Sequence, residues 1–189
     1  MKVVAFNGSP RREGNTFTLI NYVLKELENE GIETEIVQLA GKKIHGCIAC
    51  YKCFANRDSR CSVDDDLNGC LEKMIAADGI ILGSPVYFAG LTPEIKALID
   101  RSGLVSTAND ALWKRKVGAS VVAVRRAGSV TTFDALNHWF LYGQMIVPGS
   151  SYWNIGIGLN PGDVEKDEEG LDTMKTLGTN MAWLLKKLK

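Results

Sequence analysis

A chain of 189 residues with a 46% hydrophobic share is long enough to bury one core without disulfide staples, and it predicts a single domain over 1–189. Lysine plus arginine and aspartate plus glutamate both total 22, so the net charge is zero and neither a nucleic-acid nor an anionic-membrane binder is expected. No apolar run approaches the ~18 residues of a membrane span, MKVVAFNGSP lacks a signal-peptide pattern, and five cysteines, an odd number, predict a reduced cytoplasmic chain over a disulfide framework.

Strand-like and helix-like segments alternate. KVVAF (2–6) is a short apolar run rich in β-branched residues, followed by the polar turn NGSPRREGNT. Phe17, Leu19, Ile20, Val23, Leu24 and Leu27 then recur at helical spacing, and Gly31 stops that helix. TEIVQL (34–39) reads as the second strand, while residues 40–62 fit neither period. DDDL (64–67) puts acids at a helix start, where the dipole favours them, and the helix runs to about Ala77. GIILG (79–83) is a third strand, followed by the loop SPVYFAGLT and a helix with Thr92 as N-cap and Pro93 as first residue. GASVVAV (118–124) is a fourth, followed by RRAGS and a helix over about 131–142. A fifth strand falls within 151–158, and a terminal helix covers 168–187. The alternation predicts an α/β, flavodoxin-like doubly wound sheet of five parallel strands in the order 2-1-3-4-5. No two-residue hairpin signal is visible, which argues against a ferredoxin-like α+β fold.

GSPRREGNT (8–16) lies between the first strand and the first helix, where free amides and the helix dipole meet an anion. Ser9, Asn15 and Thr16 add hydrogen-bonding side chains, Arg11 or Arg12 adds charge, and Gly14 lets the backbone approach. The lysine of a Walker loop is missing, and G-x-G-x-x-G does not occur here, so a terminal monophosphate fits best. The plainer alternative is a strand-to-helix turn capped by Asn15 or Thr16. Two more loops share that sheet edge: SPVYFAG, with Tyr87 and Phe88 beside Pro85, and RRAGS. Tyr87 and Phe88 could equally be packing residues; three convergent loops favour a mononucleotide with a flat head, which points to FMN.

The cysteines read C-x2-C-x2-C-x7-C, with Cys47, Cys50 and Cys53 on a tight loop and Cys61 returning later. Three close thiolates suit three corners of an iron–sulfur cubane. The pattern is not that of a ferredoxin, whose fourth cysteine follows an x3 gap and precedes proline. Zinc loops more often pair their ligands two and two. Lys42, Lys43, Lys52, Arg57 and Arg60 outnumber Asp58 nearby and either offset cluster charge or are a solvated face. Cys70 reads as a small buried hydrophobe; His45 could support the metal site, although a lone loop histidine more often does not, and His138 falls in a helix with a packing or surface role.

GSPRREGNT, GCIACYKC…C, SPVYFAG, RRAGSVTTFDALN and GSSYWN, spread over 8–154, resemble the NADPH-dependent FMN reductase family, specifically its iron–sulfur flavoproteins. The resemblance implies tight, non-covalent FMN. Ser9, Arg11, Asn15 and Thr16 would hold its phosphate; Pro85, Val86, Tyr87, Phe88, Ala127 and Gly128 would line its ring. It also implies a homodimer or homotetramer with flavin near a subunit boundary, and a 4Fe-4S cluster on Cys47, Cys50, Cys53 and Cys61. The expected function is an FMN-containing oxidoreductase moving electrons between NAD(P)H, or a reduced carrier, and a small-molecule or protein acceptor. Alternatives are a cluster-free FMN or quinone reductase and a non-catalytic flavin- or zinc-binding module. No catalytic side chain is identified. Trp113, within 103–117, is expected at an oligomer contact or a ring-side lid.

Overall fold

A computed structural model describes all residues, 1–189. Its strands are β1 (Lys2–Asn7), β2 (Glu33–Gln38), β3 (Gly79–Pro85), β4 (Val117–Val124) and β5 (Ile155–Ile157). Its helices are α1 (Asn15–Asn29), α2 (Lys52–Asn56), α3 (Leu67–Ala76), α4 (Pro93–Ala108), α5 (Ser129–Tyr142) and α6 (Glu168–Lys187), with a 3₁₀ turn at Asp163–Lys166. The strands form one parallel sheet in the order β2-β1-β3-β4-β5, the expected flavodoxin-like topology. In register, Val3 faces both Thr34 and Gly79, and Gly79 faces Val117.

Both faces of the sheet are covered, which is why its central strands read as unbroken apolar runs. Val4, Phe6, Ile80, Leu82 and Val122 pack under α3, α4 and α5. Val3, Ala5, Ile81, Val121 and Ala123 turn the other way, under α1 and α6. Each large side chain withdrawn from water stabilises the fold by about 1.5–3 kcal/mol. No helix is long and apolar enough to cross a membrane.

Several expectations need correction. The acids of DDDL do stand at the helix start, with Asp66 just before α3 and Asp65 accepting the Leu67 amide (3.1 Å), but their carboxylates also accept backbone N–H groups of His45 (3.0 Å) and Lys43 (2.6 Å), contacts the sequence did not suggest. Thr92 is the N-cap of α4 as expected, but its hydroxyl accepts no α4 amide and donates instead to the Gly8 carbonyl (2.9 Å). A two-residue hairpin exists after all, outside the sheet: Tyr87 and Gly90 exchange both backbone hydrogen bonds around Phe88 and Ala89. Its signal was hidden because neither central residue is glycine. Trp113 is fully buried against Trp139, their rings 6.1 Å apart. It leads into the N-terminal end of β4, at the sheet edge opposite the strands' carboxyl ends, so it is no ring-side lid. Cys70 is the expected buried hydrophobe, and burial pushes its thiol up to about 11.

Candidate functional site

The carboxyl ends of β1 and β3 flank the point where the chain winds in opposite directions. Asn7, fully buried at the end of β1, organises the loop beyond it. Its Oδ1 accepts from the Ser9 amide (3.0 Å), and its Nδ2 donates to Gln38 Oε1 of β2 (2.7 Å). Gln38 Nε2 donates back to the Ser9 carbonyl (2.6 Å), and Ser9 Oγ accepts from the Arg11 amide (3.1 Å). Gly8 joins the loop to β3 through the Gly83 carbonyl (2.8 Å). The loop is therefore tied to three elements before any ligand arrives.

Behind it opens a cavity of about 190 Å³. Ser9, Arg11, Asn15, Thr16, Pro85, Val86 and Tyr87 all line it, together with Arg125, Gly158 and Leu159. The first turn of α1 leaves its amides without intrahelical partners. Asn15 is buried with its Oδ1 unpartnered, and rotating that amide presents two N–H donors instead. Gly158 makes room for this: a Cβ there would stand 2.7 Å from Asn15 Nδ2 and 2.8 Å from the Val164 nitrogen. Arg11 spans the mouth, its Nη1 donating to the Leu159 carbonyl (3.1 Å). Helix-start amides, hydroxyls, an open amide valence and two arginines are the donor set of a phosphate site.

The other three ring-lining candidates lie outside this cavity. Phe88 and Ala89 both carry positive φ (47° and 58°), a conformation costing about 1–2 kcal/mol per non-glycine residue. The turn aims the Phe88 ring wholly into solvent. Gly128, at φ 85°, supports the turn from below; a Cβ there would stand 2.8 Å from Ala89 Cα and 3.0 Å from Val86 Cγ1. Ala127 is exposed beside it.

The cysteine loop leaves the carboxyl end of β2, on the same sheet edge. Cys47, Cys50, Cys53 and Cys61 line one hollow, although no three side chains converge tightly enough to ligate a single metal ion. Cys47 and Cys50 are exposed, Cys53 is buried in α2 and Cys61 is half-buried. Ala49, Tyr51, Arg57 and Ser59 have positive φ, so the backbone bends sharply between the thiols. Ser62 Oγ lies 3.4 Å from Cys50 Sγ, and that hydrogen bond holds the Cys50 thiol below its ordinary range; burial raises that of Cys53. Arg57 pairs with Asp110 (2.7 Å) and Arg60 with Glu72 (2.7 Å), so these cations latch the loop to its surroundings. The cation that meets a thiol is Arg101 of α4, whose Nη2 donates to Cys61 Sγ (3.1 Å).

Residues 1–160 match the NADPH-dependent FMN reductase family. The chain belongs to that family. Along all of its length it is 41% identical to an iron-sulfur flavoprotein of Methanocaldococcus jannaschii, itself covered completely. It is 35% identical to an iron-sulfur flavoprotein of Methanosarcina thermophila, over all of this chain and 97% of that one. The solved structure of RosB with bound 8-demethyl-8-formylriboflavin-5'-phosphate shares the fold at TM-score 0.80, with 20% identity over the whole chain and 80% of RosB.

For an FMN reductase family member, three residues of these sites escaped the sequence reading. Arg125 lay inside the quoted RRAGS loop but was not singled out. Gly158 follows a strand only three residues long, too short for a clear alternation. Arg101 did carry a signal: it is a charge on the buried stripe of α4 with Ile95, Leu98 and Val105.

Proposed function

We propose that this FMN reductase family member is an FMN-dependent oxidoreductase with a 4Fe-4S cluster in its cysteine loop. It exchanges electrons between NAD(P)H, or a reduced carrier, and a small-molecule or protein acceptor. The observation that carries the reading is the single cavity joining Ser9, Arg11, Asn15 and Thr16 to Pro85, Val86 and Tyr87 at the β1/β3 switch point. Bound FMN supplies the conversion between hydride and single-electron chemistry. The chain's own residues bind and orient. Ser9, Asn15, Thr16 and the α1 amides take the phosphate, Arg11 closes over it, and the 85–87 segment supports the ring. Phe88, Ala127 and Gly128 form the outer rim, where a second subunit of a homodimer or homotetramer, or the electron donor, would approach.

The donor set of the cysteine loop fits a cubane better than zinc. Zinc loops more often pair their ligands two and two, whereas these cysteines group three and one. A cubane spreads its thiolates over four separate irons, and four thiols around one hollow with a neighbouring guanidinium match that wider arrangement. The test is anaerobic purification with flavin absorbance, iron and acid-labile sulfide measured on wild type and on Cys50→Ala. Flavin with iron and sulfide in wild type, and iron lost in the variant, is expected. Flavin and NAD(P)H oxidation without iron would leave a cluster-free reductase; neither flavin nor turnover would overturn the whole reading.

A further inference from the structure

Arg101 and Asp65 form an ion pair whose side chains are 1% and 2% exposed. Charges withdrawn from water this completely are costly unless every hydrogen-bonding group is matched, and an apolar pair of similar volume is often as stable. Here the matching is incomplete in an informative way. Nη1 donates to Asp65 Oδ2 (2.5 Å) and to the His45 carbonyl (3.0 Å). Nη2 donates to Asp65 Oδ1 (3.1 Å) and to Cys61 Sγ (3.1 Å), while Nε is buried with no partner. The carboxylate fixes the plane of the guanidinium through both nitrogens, and the remaining Nη2 proton points at one thiol of the four.

The backbone of that cysteine is held on both its polar groups. The Cys61 amide donates to Asn68 Oδ1 (2.9 Å), and Asn68 Nδ2 donates to the Cys61 carbonyl (2.9 Å). Asp65 is itself held by the His45 and Leu67 amides. Cys61, Asp65 and Arg101 thus form a rigid unit contributed by the loop's end, the start of α3 and the middle of α4.

We infer that Arg101 is a positioning residue for the metal centre: it holds Cys61 Sγ as a ligand and raises the reduction potential of the cluster. The inference rests on the cluster reading above. Taking up one electron adds one negative charge to the cluster. A standing guanidinium donor on a ligand sulfur, away from water, stabilises the more negative state, so no proton need accompany the electron. Asp65 orients the guanidinium and partly offsets its charge.

The test compares wild type, Arg101→Lys and the double variant Arg101→Gln/Asp65→Asn. The double variant removes both charges together and leaves no buried ion unpaired. The readouts are iron, sulfide and flavin content, thermal melting, and the cluster midpoint potential from an anaerobic dithionite titration followed by EPR. The double variant is expected to keep iron and flavin while its reduction equilibrium falls tenfold or more, about 59 mV for one electron. Arg101→Lys keeps the charge but loses the fork, and falls by less. Iron lost from both variants with flavin and melting unchanged would also support the inference, since the altered groups touch no thiol but that of Cys61. Iron retained with an unshifted potential would overturn it. Wild type that takes up no iron would sink the cluster reading itself, a separate result.

Discussion

Replacing Gly158 by alanine probes how tightly the phosphate end of the cavity is built. The new Cβ would stand 2.7 Å from Asn15 Nδ2, 2.8 Å from the Val164 nitrogen and 3.0 Å from Asp163 Cβ. One of these neighbours is backbone, so the strain cannot be shed by a rotamer change alone. Overpacking of this kind costs about 1–3 kcal/mol. Part falls on the fold, where 1 kcal/mol lowers Tm by about 2–4 °C for a chain of this size. The rest displaces Asn15, and each 1.4 kcal/mol lost from binding weakens affinity about tenfold. FMN titration followed by quenching of flavin fluorescence should give a Kd about tenfold weaker for Gly158→Ala. Gly149→Ala is the control, because nothing lies within 4 Å of a Cβ there. Wild-type affinity with a lowered Tm in Gly158→Ala would refute the assignment of Asn15 to the bound phosphate, and wild-type values of both would refute the close packing around Gly158.

Asp65→Asn leaves Arg101 buried without its counter-charge, which costs about 3–5 kcal/mol; thermal denaturation should show a Tm drop of about 6–20 °C, largely restored by adding Arg101→Gln. Ala89→Gly relieves a positive φ in the 87–90 turn and should raise Tm by a few degrees in a melting scan. The Glu35 carboxyl is held below the usual carboxylate range by Lys73, helped by Lys2 although desolvation opposes both. Its contribution is therefore present above the ordinary carboxylate pKa and lost as pH falls through the lower folded value. Urea melts across that acid window should show a shallower loss of stability for Glu35→Gln than for wild type.

The parallel sheet and the donor-rich loop between β1 and α1 were legible in the sequence because each depends on near neighbours. A strand buried on both faces must be almost wholly apolar, as VGASVVAV is apart from Ser120, and a loop between strand and helix reveals itself by composition. The acids of DDDL were legible only in part for a related reason. Local chemistry places acids at a helix start, where Asp65 does accept the Leu67 amide, but the His45 and Lys43 amides that share these carboxylates are brought close only by folding. That Phe88 would face outward was not legible, because the turn closed by Tyr87 and Gly90 carries no glycine at its centre.

By itself, then, the sequence determined what period, punctuation and thiol spacing can encode: five alternating units, a donor-rich helix start, and four cysteines in one loop. The tertiary structure alone decided which distant groups complete the sites. Arg101 reaches Cys61 across forty positions of chain, and Gly158 opens the space that Asn15 occupies. Such pairings follow from the strand order and from close packing between elements, and neither leaves a periodic trace in the residues themselves.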